Sequence, residues 1–158
     1  MMNDNNTLKQ HKVRAIKNGT VIDHLPENSI FKVLKLLKLE DSCTPIIFGM
    51  NLDSKRMGKK SIIKMVDVYC QEEELAYLAL VAPAARVSII KDFVVAEKRE
   101  IEPPTLVEGF VKCVNPMCIT NHETITTRFT TQNEFGELLL KCRYCEKITS
   151  QEQIQITK

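Results

Sequence analysis

Four cysteines in the last 58 residues of this 158-residue chain constrain that part more than any other feature does. Cys113-x4-Cys118 is followed, after 23 intervening residues, by Cys142-x2-Cys145. Two close pairs at this separation form the pattern of two knuckles that hold one metal ion between four thiolates. Asn115-Pro116 and Arg143-Tyr144 give each pair a tight turn. Between the pairs, Ile125, Thr127, Phe129 and Thr131 alternate on one face, and Leu138–Lys141 can return beside them across Glu134-Phe135-Gly136. Such a hairpin would bring the knuckles together. A piece this short, with few large apolar residues, is marginal alone. One structural zinc ion per chain, held by Cys113, Cys118, Cys142 and Cys145, would contribute about 10–16 kcal/mol of apparent binding free energy to folding. His122 is an alternative ligand, but four thiolates fill a tetrahedron and leave no open position, so the expected role is structural. The competing reading is ordinary buried or disulfide-bonded cysteine. Cys43 and Cys70 lie outside the pattern.

Redox compartment decides between these readings. The opening MMNDNNTLKQ is polar, with no apolar core of a secretory signal. The longest apolar run, Leu75–Ala82, ends at Pro83, far short of the ~20 residues that a bilayer requires. A cytoplasmic protein without a membrane segment is expected, and a reducing cytosol favours metal over disulfide. Net charge is +2, with 16 basic and 13 acidic residues before position 101 and 6 and 7 after it. That balance lacks the basic excess of a general nucleic-acid binder.

Lys98-Arg99-Glu100-Ile101-Glu102-Pro103-Pro104-Thr105 is charged and then proline-stiffened, which reads as a linker. It divides the chain into a first domain over residues 8–100 and a cysteine-rich domain over 105–158. In the first domain the pattern predicts a strand over His11–Lys17, with Asn18-Gly19 as a turn signal. A helix follows over Ile30–Leu39, with apolar residues at 30, 33, 34 and 37. Strands are expected over Pro45–Leu52 and Lys59–Tyr69, and a helix over Gln71–Ala82 with Leu75, Leu78 and Ala79 on one face. Arg86–Ile90 and Phe93–Ala96 complete the set. The order β-α-β-β-α-β-β predicts an α+β fold. It is a ferredoxin-like antiparallel sheet with two helices, followed by a small β-rich zinc-binding domain.

Lys55, Arg56, Lys59, Lys60 and Lys64 place five cations within ten residues. On a strand Lys60 and Lys64 share a face about 13 Å apart, able to grip a polyanion such as a nucleoside triphosphate. A solvated edge strand guarded by lysines accounts for the same residues. Gly58-Lys59-Lys60-Ser61 fails as a P-loop, because Asp53 stands at the first glycine position and Lys60 at the Ser/Thr position. Asp23-His24 has no nucleophile nearby in sequence. No GxSxG, HExxH or GxGxxG is present, and the chain is not expected to be an enzyme.

Several stretches are specific: GTVIDHLP at 19–26, GMNLDSKRMGKK at 49–60, LALVAPAARVSIIKDF at 78–93, and CVNPMCIT with KCRYCEK around the cysteines. They resemble the aspartate carbamoyltransferase regulatory chain family, without an evident gap from about Val13 to Lys147. The resemblance implies a non-catalytic chain that forms homodimers bridging catalytic trimers, giving six catalytic and six regulatory chains. It implies CTP, ATP and UTP as effectors of the first committed step of pyrimidine biosynthesis, and a zinc domain that docks on the catalytic chain. By position, Val13, Ala15 and Ile16 would lie near base and sugar, and Asp23 and His24 near ribose and phosphates. Lys64 would serve ribose and phosphate, Lys98 the phosphates, and Lys60 the phosphates or a second nucleotide. Ser88, Ile90, Phe93 and Val95 would line the base pocket. Asn115, Arg143, Tyr144, Glu146 and Lys147 match the docking surface. Arg14 stands where the best-known pattern has an acid, Ser88 where it has Asn and Phe93 where it has Tyr. Loss of amide and hydroxyl groups weakens base readout. A zinc-ribbon nucleic-acid binder and a nucleotide-hydrolysing enzyme are the alternatives from other classes.

Overall fold

The computed structural model describes residues 14–157. The first sheet is built from β1 (Gly19–Leu25), β2 (Ile46–Ser54), β3 (Gly58–Val66), β4 (Arg86–Lys91) and β5 (Val94–Arg99), in spatial order β2-β3-β1-β4-β5. All its pairings are antiparallel. Helices α1 (Ile30–Leu36) and α2 (Glu72–Val81) interrupt the strands in the order β-α-β-β-α-β-β. The protein is α+β, and the first sheet has the ferredoxin-like order with β5 added at one edge. A second antiparallel sheet follows, β6 (Leu106–Glu108), β7 (Arg128–Glu134), β8 (Glu137–Cys142) and β9 (Ile148–Ser150), paired in chain order. Among the described residues no helix is long and apolar enough to cross a membrane.

Of the strand expected over 11–17, residues 11–13 lie outside the described residues. Residues 14–18 lie outside any strand, and β1 begins at Gly19. Thr20, Val21 and Ile22 are β-branched, and this strand is central, pairing with β3 on one side and β4 on the other. Gly19 opens the strand rather than closing a turn. At φ 141° its Cα lies so close to β3 that an added Cβ would stand 1.9 Å from the Met65 carbonyl oxygen. Only glycine fits there.

Alternation along the central strands separates two faces. Ile22, Ile63, Met65, Val87 and Ile89 are buried on one, together with Thr20 and Ser61. The other face carries Val21, Asp23, Lys60, Lys64 and Ser88, all half-buried. The chain gathers into two compact units. The first holds the described residues through Ile30, Asp41–Cys70 and Ala84–Glu100; the second holds Phe31–Glu40, Gln71–Pro83 and Ile101 onward. Both helices, but for Ile30, therefore belong to the unit containing the cysteines. Within that unit Tyr77 stacks on Phe110 with centroids 4.3 Å apart, and the Gln151 amide donates to the Val81 carbonyl. The α1 lysines Lys32 and Lys35 donate to the carbonyls of Glu152 and Ile156. This explains why α2 buries Leu80 and Val81 as well as Leu75, Leu78 and Ala79: a helix apolar on several faces is one covered on several sides. Its start is fixed by the Glu74 carboxylate, which accepts from the Gln71 N–H at 2.8 Å, with Glu72 and Glu73 complementing the helix dipole.

Candidate functional site

Strand register builds the first site. Val21 sits opposite Lys64 on β3 and Ser88 on β4, and Ser88 sits opposite Lys98 on β5. Lys64, Val21, Ser88 and Lys98 thus form one row across four strands, on the open face. At ordinary strand spacing the lysine backbones are about 14 Å apart, with a neutral hydroxyl between them. Two residues along from Ser88, Ile90 pairs with Val95. Ile90 is buried while Val95 is half exposed, so an apolar end adjoins the cationic row.

On the side of that row away from Ile90, Asp23 faces Lys60. The ammonium lies 2.8 and 3.0 Å from the two carboxylate oxygens. Asp23 also accepts from the His24 N–H at 2.6 Å. His24 and Asp23 make no catalytic dyad: the ring Nδ1 stands 3.7 Å from the carboxylate and is buried without a hydrogen-bond partner. Burial lowers the His24 pKa; Asp23 works against this, and the charges of Lys60, Arg86 and Arg56 add to it. The Lys64 ammonium donates to the Arg14 carbonyl at 2.9 Å, and its pKa is lowered by burial against the opposing charge of Asp23.

The remaining residues expected here are placed as follows. Val13 lies outside the described residues. Ala15 is exposed and Ile16 buried. Phe93 belongs not to a strand but to the β4–β5 turn, at φ 65°, with its N–H on the Lys17 carbonyl at 2.9 Å. This contact ties the segment after Ile16 to the apolar end of the face. Lys59 is held by Asp53 at 2.6 Å. One cation escaped sequence reasoning: Arg86, which pairs with Asp23 across β1 and β4. No local motif marks it, since only register reveals its neighbours.

The second site is the cysteine cluster. Cys113 and Cys118 lie on the long connection after β6, Cys142 ends β8, and Cys145 lies in the turn before β9. Their four Sγ atoms all fall within 4.8 Å of one another, with Cys113–Cys145 at 3.6 Å and Cys118–Cys142 at 3.8 Å. Four sulfurs around one ion at the usual zinc–sulfur distance stand about 3.8 Å apart, so the residues fit a tetrahedral thiolate centre. Backbone and amide bonds shape both knuckles. Cys118 N–H donates to the Asn115 carbonyl, and the Asn121 amide donates to the carbonyls of Cys113 and Asn115. Cys142 N–H donates to the Lys147 carbonyl, and Glu146 at φ 64° returns its N–H to Cys142. Burial pushes the Cys113 thiol up to about 12 and raises Cys142. At Cys145 burial also works upward, but the Lys147 N–H, the Asn115 amide and the neighbouring thiols bring it down to about 7. Holding four thiolates together at neutral pH needs a cation, which is the chemistry of this donor set. His122 is elsewhere, its Nε2 on the Pro116 carbonyl at 2.7 Å.

A ferredoxin-like sheet with an open cationic face, together with a four-thiol cluster suited to a metal ion, defines a class of α+β chain with a candidate binding face and a candidate metal site. Comparison with known proteins specifies it. Residues 11–102 match the family model of the aspartate carbamoyltransferase regulatory chain allosteric domain, and residues 105–155 that family's metal binding domain. An aspartate carbamoyltransferase regulatory chain from Phocaeicola vulgatus is 47% identical over 98% of both chains. One from Bacteroides fragilis is 46% identical over 92% of this chain and 94% of its own, and one from Pyrococcus abyssi 44% over 90% and 95%. The chain belongs to the aspartate carbamoyltransferase regulatory chain family. It is a regulatory chain, with an allosteric and a metal-binding domain, and not an enzyme.

Proposed function

We propose that this chain binds CTP, ATP and UTP through a domain spanning residues 8–100, and controls an aspartate carbamoyltransferase through a zinc domain spanning 105–158. The observation that carries the nucleotide reading is the cross-strand row of Lys64, Ser88 and Lys98, with the Asp23–Lys60 pair beyond it. The apolar end at Ile90, Val95 and Phe93, adjoined by Ala15 and Ile16, receives the base. The row and His24 take ribose and phosphates. Charge-assisted bonds from the lysines dominate affinity, while Ser88 and Phe93 read the base weakly.

Cys113, Cys118, Cys142 and Cys145 would hold zinc, which supplies four bonds that fix both knuckles. The knuckles present Asn115, Arg143, Tyr144, Glu146 and Lys147 to a catalytic chain. Support comes from Met117, Ile119 and Tyr144, large side chains on or next to the knuckles that are exposed by 79%, 45% and 42%, since groups held on a rigid loop lose little entropy on docking. A regulatory-chain homodimer fits the edge position of β2, where Phe48 and Met50 are exposed. Such dimers would join catalytic trimers into a cytoplasmic complex of six catalytic and six regulatory chains. Nucleotide shifts the enzyme only by binding its two states unequally, with coupling of about 1–3 kcal/mol. The test is the aspartate saturation curve of the reconstituted complex. CTP and ATP should shift it, and Lys64→Ala or Lys98→Ala should preserve assembly while weakening nucleotide binding about tenfold. Unchanged affinity in either variant removes that lysine from the site.

A further inference from the structure

The tip of the β7–β8 hairpin breaks three local rules at once. Glu134 and Glu137 are its last cross-strand pair, and Phe135-Gly136 is the two-residue turn between them. Phe135 takes φ 52°, a left-handed conformation that suits glycine, asparagine or aspartate and strains a bulky side chain. Its ring is fully exposed, at 106%, more than any other large apolar side chain among the described residues. Glu134 and Glu137 are exposed like charges directly opposite each other, which works against strand pairing. Neither forms an ion pair among the described residues. The strands behind the tip are ordinary. Phe129, Leu138, Leu140 and Cys142 are buried, and the register runs without a bulge from Phe129 opposite Cys142 to Glu134 opposite Glu137. The cost is thus confined to the exposed end of a well-determined hairpin.

We infer that Phe135, flanked by Glu134 and Glu137, is an anchor that enters an apolar pocket with a basic rim on the catalytic chain, and that this tip selects which catalytic chains are accepted. The inference rests on the reading that the zinc domain docks. Local violations in an otherwise consistent element mark a site whose stabilisation comes from outside it. An aromatic anchor with charges around it is the usual make-up of an interface centre and rim. Two observations choose the partner. Strand β8 runs from the tip to Cys142, about 17 Å at ordinary strand rise, so the tip and the docking residues after Cys142 belong to one rigid hairpin. A two-fold contact with a second copy of the tip would bring four carboxylates together, whereas a basic rim on a different chain satisfies both glutamates and excludes acidic competitors.

Light scattering of the zinc-loaded chain titrated with its catalytic trimers tests this, alongside urea unfolding of the free chain. Phe135→Asn supplies a residue that the turn prefers. It is expected to raise the urea midpoint of the free chain yet weaken assembly about tenfold, with Phe135→Tyr restoring assembly. Glu134→Gln combined with Glu137→Gln is expected to reduce the salt dependence of assembly. Wild-type affinity in Phe135→Asn would overturn the anchor and leave docking by the zinc domain standing. Weaker assembly together with a lower urea midpoint would mean general damage to the hairpin and overturn it too. A free chain whose mass rises with concentration, and stops doing so in Phe135→Asn, would assign the tip to a second copy and overturn the catalytic-chain partner. A wild-type chain that never joins the trimers would overturn the docking reading itself, and the anchor with it.

Discussion

His24 shows how much a single residue can carry. It sits at φ 59° within the irregular end of β1, between the bulged pairings of Ile22 and Leu25, with a buried and unpartnered Nδ1. Such a conformation costs stability and persists only where the surroundings impose it. Its pKa is lowered, chiefly by burial. A histidine whose folded pKa lies below its unfolded value of about 6.5 binds fewer protons folded than unfolded. Its contribution to stability is therefore complete above that value and is lost as pH falls toward the folded pKa. Urea midpoints at pH 7.5 and 5.5 should show a larger loss for wild type than for His24→Gln; an equal loss would mean that His24 does not titrate as its surroundings dictate. Sequence could identify Asp23-His24 as a polar pair, but not that Lys60 from another strand takes the carboxylate. Arg86 was silent for the same reason, since its meaning lies in a partner 63 positions earlier. Local patterns carry periodicity and turn chemistry; they carry no register.

At the scale of elements, legibility followed how locally each one is determined. The β7–β8 hairpin was readable because Phe135-Gly136 supplies both positive φ angles of its two-residue turn. The alternation on β3 was readable because Ser61, Ile63 and Met65 are buried and Lys60 and Lys64 are not. The three-residue strands β6 and β9 are too short to show a period. Ala15 and Ile16 continue an apolar pattern yet lie outside any strand, whereas Gly19 owes its place to the Met65 carbonyl. The cysteine pattern was plain in sequence because ligand spacing on turns is itself local. If metal bonds organise the second sheet, Cys142→Ser should lose stoichiometric zinc and hydrogen-exchange protection at Thr131 and Leu140, which face each other across β7 and β8. Protection should persist on β1 and β3. A zinc-free variant that keeps the Thr131 and Leu140 amides protected would contradict a structural role for the metal.

At the scale of the whole molecule, Pro103-Pro104 is legible in sequence as a stiff stretch, but membership of the compact units is not. Helices α1 and α2 precede Pro103-Pro104 and, but for Ile30, belong with the cysteine unit, through Tyr77 on Phe110 and the lysines of α1 on the Glu152 and Ile156 carbonyls. An apolar stripe states that a helix is covered, never by what. For a regulatory chain this arrangement has a physical consequence: elements that alternate in sequence with the strands of the proposed effector face are shared with the module proposed to dock. The central claim is that the zinc-loaded chain assembles with catalytic chains. The most direct measurement is the mass, by light scattering, of this chain mixed with its catalytic trimers, with and without prior removal of zinc. The account predicts a step from trimer to a complex of about twelve chains that forms only with zinc present; separate peaks despite intact zinc would contradict it.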